Sequence, residues 1–429
     1  MGRVEVSVDH IARVEGHGDI HLVIENGRVE RCELAVVESA RLFEAMVRGR
    51  RFDEAPYIAS RVCGICSASH VVTDLRAIEA AFGVEVSERT RALRELLVYG
   101  SFLQNHATHL FVFAAPDFLG YGSVFPLAES NRPLFDQALG LKALGNELCT
   151  RVGGRSIHPI TAVAGGFTHE LGAAEYRELA EKLEAAQEFA LTCVDLFRSF
   201  EVPALETDGD LLAMVEPGAY PVVGSDVARF VRGGYDFYCA DVEDEIEEYP
   251  VDHSAAFLAR ARRTGRPYLT AALARINASW DHLGKTARFA AAKAGLRPPE
   301  LNPYMNNVAQ AVEVVDALER CAALCRALAD PAFGGTSEPV AFEVRAGSGV
   351  GFTEAPRGAL FHKLELDGEG RIERASIMTP TAQNIANLEA DMRKLAELLL
   401  AAGADQAEVQ LRVEELVRAY DPCLSCSVH

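Results

Sequence analysis

Two Cys-x-x-Cys pairs stand near opposite ends of this 429-residue chain, and no other feature constrains the fold as much. One lies in Arg61-Val-Cys63-Gly-Ile-Cys66-Ser-Ala-Ser-His70 and the other in Asp421-Pro-Cys423-Leu-Ser-Cys426-Ser-Val-His429. Chain ends usually fray unless something ties them down. A final nine residues holding two thiols, a carboxylate and an imidazole are therefore expected to be anchored, with the fold bringing both ends together. No internal repeat or low-complexity linker interrupts the chain, so a single intertwined unit over 1–429 is expected.

Two thiol pairs are the usual ingredients of a tetrahedral metal site. In small zinc modules the pairs lie within tens of residues, because the metal replaces a missing core. A long chain of 49% hydrophobic residues has no such need, which weakens structural zinc. A thioredoxin-like pair wants a strand–helix setting in a parallel sheet, and neither pair has one. The reading that fits best is a soft, catalytic metal centre with all four thiolates as ligands, nickel and iron being the natural candidates. Arg61, Arg357, Glu15, His70 and Asp421 are the groups placed to support such thiolates. The other cysteines, Cys32, Cys149, Cys193, Cys239, Cys321 and Cys325, are too scattered to hold an iron–sulfur chain. A partner subunit is then needed to carry electrons. Cys321 and Cys325, one helical turn apart in an apolar segment, read as core thiols.

A net charge of −20 argues against nucleic acid or an anionic membrane as partner. No apolar run approaches the roughly 18 residues needed to span a bilayer, and the acidic start is not a secretory signal, so a cytoplasmic chain is expected. The pattern predicts an α+β fold, mainly α with a small β portion. Residues 1–40 read as a β-rich segment, with Val4, Val6, Val8 and then Ile20, Leu22, Ile24 alternating up to an Asn26-Gly27 turn. Residues 41–337 read as a bundle of long helices. It opens with Leu42, Phe43, Met46 and Val47 on one face, and a long helix starts at Ser87-Glu88 with Asn105, His106 and His109 embedded in it. Further helices are expected near 127–150, 170–200, 253–264, 267–294 and 306–329. Residues 338–383 read as extended, with strands flanking Glu354–Leu360 and a turn at Asp367-Gly368. Residues 384–429 read as one helix to Ala419 followed by the ligand-rich tail.

With these motifs in hand, the chain resembles the large, catalytic subunit of nickel–iron hydrogenases over essentially its full length. The resemblance rests on Arg13-Val-Glu-Gly-His17, Arg41-Leu-Phe-Glu44, the Cys63/Cys66 motif with His70, Gly154-Arg-Ser-Ile-His158 with Gly165-Gly166, Ala355-Pro-Arg-Gly358, and the terminal Cys423/Cys426 motif. Quinone-reductase relatives share the fold but lack the four thiolates. The resemblance implies reversible heterolytic cleavage of dihydrogen to protons and electrons. It makes Cys63 and Cys423 terminal nickel ligands and Cys66 and Cys426 bridges to an iron carrying carbon monoxide and two cyanides. Arg357, beside Pro356, matches the guanidinium over the open metal position, Thr381 a hydroxyl donor to a cyanide, and His70 part of the surrounding shell. Glu44, the carbonyl of Ile377 and His429 match a buried magnesium site. Glu15 matches the carboxylate that takes a proton from Cys423, Asp421 remains as a further acid–base group, and His158 faces the partner's nearest cluster.

The same resemblance implies an iron–sulfur small subunit as partner, with the clusters held only there, as well as a maturation endopeptidase and metallochaperones. Asn105 stands where respiratory members have aspartate, and Thr381-Ala-Gln-Asn384 where they have Ser-Thr-Trp-Asn. These departures look like the cytoplasmic bidirectional branch, which exchanges electrons with NAD, NADP or F420 through diaphorase-type subunits. In this family a precursor tail is cut after the terminal histidine, so an ending at His429 reads as a processed form or a gene without a tail. A different class of reading, a non-enzymatic subunit that keeps the fold and binds zinc, is separated from this one by metal analysis.

Overall fold

The computed structural model describes residues 4–25 and 28–428. Alternating apolar residues at the start form an antiparallel three-stranded sheet of Val4–Val8, Gly18–Glu25 and Arg28–Val36, with Ile20 opposite Leu34 and Leu22 opposite Cys32. These four side chains are buried, as the two-residue period requires. The expected Asn26-Gly27 turn lies outside the described residues, although the flanking strands pair from Glu25 and Arg28.

The chain then becomes helical. Helix Ser67–Phe82 ends at Gly83 in the left-handed region, φ 70°, a position that suits glycine. Helix Glu88–Thr108 starts where expected: Ser87 Oγ accepts the Thr90 N–H at 3.0 Å and caps the first turn. It runs on into a π-helical stretch, His109–Ala114. Helix Arg132–Gly153 lies against it with Gly145 at the crossing, where a Cβ would meet the Gly100 carbonyl and the Gln104 amide. Helix Asn306–Leu328 is buried nearly all round and is covered by Ala173–Ala185 and Gln187–Arg198. Cys321 and Cys325 are fully buried in it, as core thiols should be.

Three expectations need correction. Between residues 210 and 269 the chain is largely β rather than helical, with a four-stranded sheet, Tyr268–Leu269, Asp210–Met214, Val227–Phe230 and Tyr235–Tyr238, and a separate pair, Ile246–Val251 with Ser254–Ala261. Ser254–Ala261 contains good helix formers, but its pairing with Ile246–Val251 buries Ala256, Leu258 and Ala259, and tertiary packing overrides propensity. The helix after Arg41 is short, Phe43–Val47, and Phe43 and Val47 point inward while Leu42 and Met46 are exposed. The final helix is two, Pro380–Ala401 and Gln406–Ala419, broken at Gly403, φ 89°, with Asp405 capping the second.

The late β segment is an antiparallel meander, Gly347–Ala355, Gly358–Leu366 and Ile372–Met378, with Pro356-Arg357 at the first reversal. It lies against helix Ser67–Phe82 so closely that Cβ atoms at Gly349 and Gly351 would run into the carbonyls of Ala77 and Thr73. This contact places the Arg357 turn beside the Cys63/Cys66 segment that precedes the helix. Among the described residues, no helix is long and apolar enough to cross a membrane.

The close approach predicts that Gly351→Ala destabilises the protein by roughly 1–3 kcal/mol, the cost of overpacking a tight contact. Gly368→Ala, where a Cβ meets nothing within 4 Å, should stay within about 0.5 kcal/mol of the parent. Thermal melts of the two variants check this, and equal melting temperatures would contradict the packing.

Candidate metal centre

The two thiol pairs meet. Cys63 is presented in extended conformation after the short turn Ser60–Val62, and Cys66 precedes helix Ser67–Phe82. Cys423 and Cys426 sit on the turn around Leu424–Ser427, just beyond helix Gln406–Ala419. The sulfurs of Cys63, Cys423 and Cys426 lie within 4.8 Å of one another, all three residues buried. Cys63 Sγ is 3.7 Å from Cys423 Sγ and accepts the Cys66 backbone N–H at 3.1 Å. Cys66 Sγ accepts from Arg357 Nη1 at 3.4 Å. Cys423 and Cys426 are joined as a disulfide, their Cα atoms 5.3 Å apart, whereas four thiolates were expected. Two sulfurs three residues apart on one tight turn reach each other, and a ligand role requires that bond reduced.

Arg357 is the charged group of the site. It is 2% exposed, and its Nε donates to the Asp421 carbonyl at 2.8 Å and to Asp421 Oδ1 at 3.0 Å. Burial pushes the Asp421 carboxyl up, but the Arg357 guanidinium, His109 and the hydrogen bonds from Asn105 and Gln310 together outweigh it and hold the group below the usual carboxylate range. Asn105 Nδ2 and Gln310 Nε2 both donate to Asp421 Oδ2, at 2.8 and 3.0 Å. The Cys66 thiol is held low, first by the hydrogen bond from Cys63 and then by Arg357. Arg357 Nη2 is buried and finds no hydrogen-bond acceptor among the described residues.

Glu15 reaches the site from the N-terminal loop. Its backbone bridges to the tail, Leu424 N–H donating to the Glu15 carbonyl at 2.8 Å. Cys423 Sγ lies 3.0 Å from Glu15 Oε2, and Ser425 Oγ contacts both carboxylate oxygens, at 2.5 and 2.7 Å. Thr381 Oγ1 accepts the Cys423 N–H at 2.9 Å, which leaves its own hydroxyl hydrogen free to donate elsewhere. Arg41 ties the tail from the other side, its guanidinium donating to the carbonyls of Val62 and Ser425.

The remaining expected residues lie around this core. Glu44 Oε1 accepts the Ile377 N–H at 2.7 Å, and burial pushes the Glu44 carboxyl up. His429 lies outside the described residues. His70 contacts a second histidine: its Nδ1 is 3.1 Å from His362 Nε2, and His362 Nδ1 is 2.9 Å from Asp74 Oδ1. The carboxylate makes His362 Nδ1 the donor, so His362 Nε2 accepts from His70. Pro356 offers its carbonyl to Arg275 at 2.9 Å. His158 is half-buried in the left-handed region, φ 54°, with its N–H on Ser67 Oγ at 2.8 Å and Nδ1 3.0 Å from the Ser60 carbonyl. Arg61 is exposed rather than aimed at the sulfurs.

Sequence reasoning missed several supporting groups. Ser425 stands inside the terminal motif and could have been singled out as the only hydroxyl between the two thiols. Gln310 and Glu313, one turn apart with Asn306, Asn307 and Asp316 in a helix of mostly apolar neighbours, were the signal for a buried polar face, as were Asn105, His106 and His109 opposite them. These face one another: His106 Nε2 meets Glu313 Oε2 at 2.8 Å and His109 Nδ1 meets Gln310 Oε1 at 2.5 Å.

Known proteins resemble this chain in sequence and fold. A family model described as nickel-dependent hydrogenase matches residues 41–129 and 270–429. The alpha subunit of sulfhydrogenase 1 from Pyrococcus furiosus is 36% identical over 99% of this chain and 97% of its own length. The beta subunit of the NAD-reducing hydrogenase HoxS from Cupriavidus necator is 29% identical over 98% of this chain and 94% of its own. A solved NAD+-reducing NiFe hydrogenase in the H2-reduced state matches with a TM-score of 0.87 at 27% identity, covering 99% of each chain. With its thiols drawn together from opposite ends of the sequence, the chain belongs to the nickel-dependent hydrogenases, as the large, catalytic subunit of an oxidoreductase acting on H2.

Proposed function

We propose that Cys63, Cys66, Cys423 and Cys426, all as thiolates, hold a nickel–iron centre whose iron carries carbon monoxide and two cyanides. The observation that carries this reading is the buried Nη2 of Arg357, an N–H donor with no acceptor among the described residues, on the same guanidinium that touches Cys66. Such a donor fits a small anionic ligand on a metal beside Cys66, since a buried polar group without a partner is costly. Thr381, with its hydroxyl hydrogen free, fits a second one. When bound, the centre supplies the Lewis-acid and redox chemistry that splits dihydrogen.

The protein's own groups then move the proton. Cys423 Sγ passes it to Glu15 Oε2 across 3.0 Å, within the reach of a general base. Ser425 Oγ keeps the Glu15 carboxylate turned toward the thiol. Asp421 holds Arg357 over the site, and His70, steadied by His362 and Asp74, closes its flank. Glu44 and the Ile377 carbonyl, with His429, are oxygen and imidazole groups that would hold magnesium behind it.

Electrons leave for the iron–sulfur clusters of a small subunit. The surface that suits it carries Leu42, Met46, Tyr57, Ile157 and Ile160, 61, 45, 39, 40 and 40% exposed, on the segments that flank the Cys63/Cys66 loop and His158. The relatives named for NAD reduction support NAD as the acceptor beyond the clusters, an arrangement that a cytoplasmic complex with diaphorase-type subunits would serve. A maturation endopeptidase and metallochaperones would load the centre.

A purified complex should contain nickel and iron in about equal amounts, reduce dyes with dihydrogen and show carbonyl and cyanide infrared bands, while Cys63→Ser loses nickel and activity together. Stoichiometric zinc without nickel or those bands would sink the proposal. Glu15→Gln should keep its metals and lose proton–deuterium exchange by roughly 100-fold or more, the scale of a positioned acid–base group. Full exchange activity in that variant would remove Glu15 from the relay.

A further inference from the structure

Behind the Arg357 turn lies a second buried arginine, Arg275, on helix Ala272–Ser279 and 1% exposed. Guanidinium has five N–H donors, and here every one has a protein acceptor. Nε and Nη2 grip the two oxygens of Glu313 at 2.6 and 2.7 Å, and Nη1 donates to Glu354 Oε2 at 3.0 Å. The remaining two go to consecutive backbone carbonyls, Ala355 at 3.1 Å and Pro356 at 2.9 Å. These are the two residues immediately before Arg357. The guanidinium also lies over the Phe102 ring, 4.9 Å from its centre.

The clamp is itself held. Glu313 accepts from the Tyr220 hydroxyl at 2.5 Å and from His106 Nε2 at 2.8 Å, and Glu354 Oε1 accepts the Met214 N–H at 2.6 Å. Burial pushes the Glu313 carboxyl up, but Arg275 outweighs it and holds the group at about 2, so its charge persists across the physiological range. A rigid fork on two successive carbonyls sets two peptide planes, and Pro356 has its φ fixed by its ring. Between them they fix the direction in which the Arg357 side chain leaves the backbone.

We propose that Arg275 is a positioning residue for Arg357: through the carbonyls of Ala355 and Pro356 it sets the place of the guanidinium over the thiols. This rests on the nickel–iron reading of the site. A lysine at 275 keeps the charge but, with three N–H donors on one nitrogen, cannot serve both carbonyls and both carboxylates as the five-donor fork does.

The test is a double-mutant cycle in the assembled complex, with hydrogen-dependent dye reduction, nickel and iron content and infrared spectra measured for wild type, Arg275→Lys, Arg357→Lys and the double variant. Arg275→Lys should keep both metals, lose roughly 100-fold in rate, the scale of a misplaced group, and shift the cyanide bands in the same direction as Arg357→Lys. In the Arg357→Lys background the same change should cost no more than about twofold, because residues acting through one another are not additive. Losses that multiply, or activity that falls only in step with metal content, would overturn the assignment. Should Arg275→Lys fail to assemble, Tyr220→Phe removes one hydrogen bond from Glu313 and carries the same cycle. A loss that vanishes without Arg357 supports the inference, and one that persists refutes it. Nickel content and dihydrogen uptake of the wild type test the metal reading separately, so a failed cycle in an active, nickel-loaded enzyme falls on Arg275 alone.

Discussion

The pairing of Arg357 with Asp421 is the interaction on which the rest of the site depends. One charge comes from the reversal between two strands and the other from the tail, and both are buried. Removing either partner of such a pair costs about 3–5 kcal/mol, because the other is left as a bare charge in a poor solvent. Neither element can therefore take its place without the other. The tail must be seated for the guanidinium to be tolerated, and the reversal must be formed for the tail carboxylate to be tolerated. A site completed only when both are present suits a protein whose paired thiols come from opposite ends of the chain.

Seating the tail costs conformational entropy, about 1–2 kcal/mol per ordered residue, and the bonds that offset it come from all over the molecule. Asn306 Nδ2 donates to the Ala419 carbonyl at 2.8 Å, and the Tyr420 hydroxyl lies between Asn387 and Asp391 at 2.7 and 2.5 Å. Thr381 takes the Cys423 amide, Glu15 takes the Leu424 amide, and Arg41 N–H donates to the Val428 carbonyl at 3.0 Å. The anchors belong to the N-terminal loop, the Arg41 segment and the helices Asn306–Leu328 and Pro380–Ala401. Order in the last turn is thus a readout of order across the whole fold, which is why a ligand-rich terminus need not fray.

What could be read from residues alone follows the range of the interaction responsible. Ser87 as a cap, Asp367-Gly368 as a turn and the alternation of Ile20, Leu22 and Ile24 are local, and each is found as expected. The cysteines were legible because soft-ligand chemistry leaves few other uses for two such pairs. Ser254–Ala261 was misread because its helix-forming residues are overruled by a partner strand, and Leu42 and Met46 because an exposed apolar face looks the same in sequence as a buried one. Gln310 and Glu313 signalled only a buried polar face, and nothing local marked them or Arg275 as site residues. Their partners lie far away in the chain, His106 being 207 positions from Glu313, and no spacing announces such a pair.

The helices Glu88–Thr108 and Asn306–Leu328 support the site from two directions through their facing polar residues. Asn105 and Gln310 both reach Asp421, while Glu313, bonded by His106, reaches Arg275 and, through it, the turn that carries Arg357. Asn105 matters here for its charge. An aspartate at that position would set a second carboxylate against Asp421 Oδ2, where the asparagine N–H now sits at 2.8 Å. Like charges that close cannot both ionise, so one carboxyl would have to carry a proton. With asparagine the balance is one carboxylate to one guanidinium, and both can stay charged without a shared proton. The groups around Asp421 are in this way a fixed electrostatic frame beside the thiols, and Glu15 meets the thiols separately, its Oε2 3.0 Å from Cys423 Sγ.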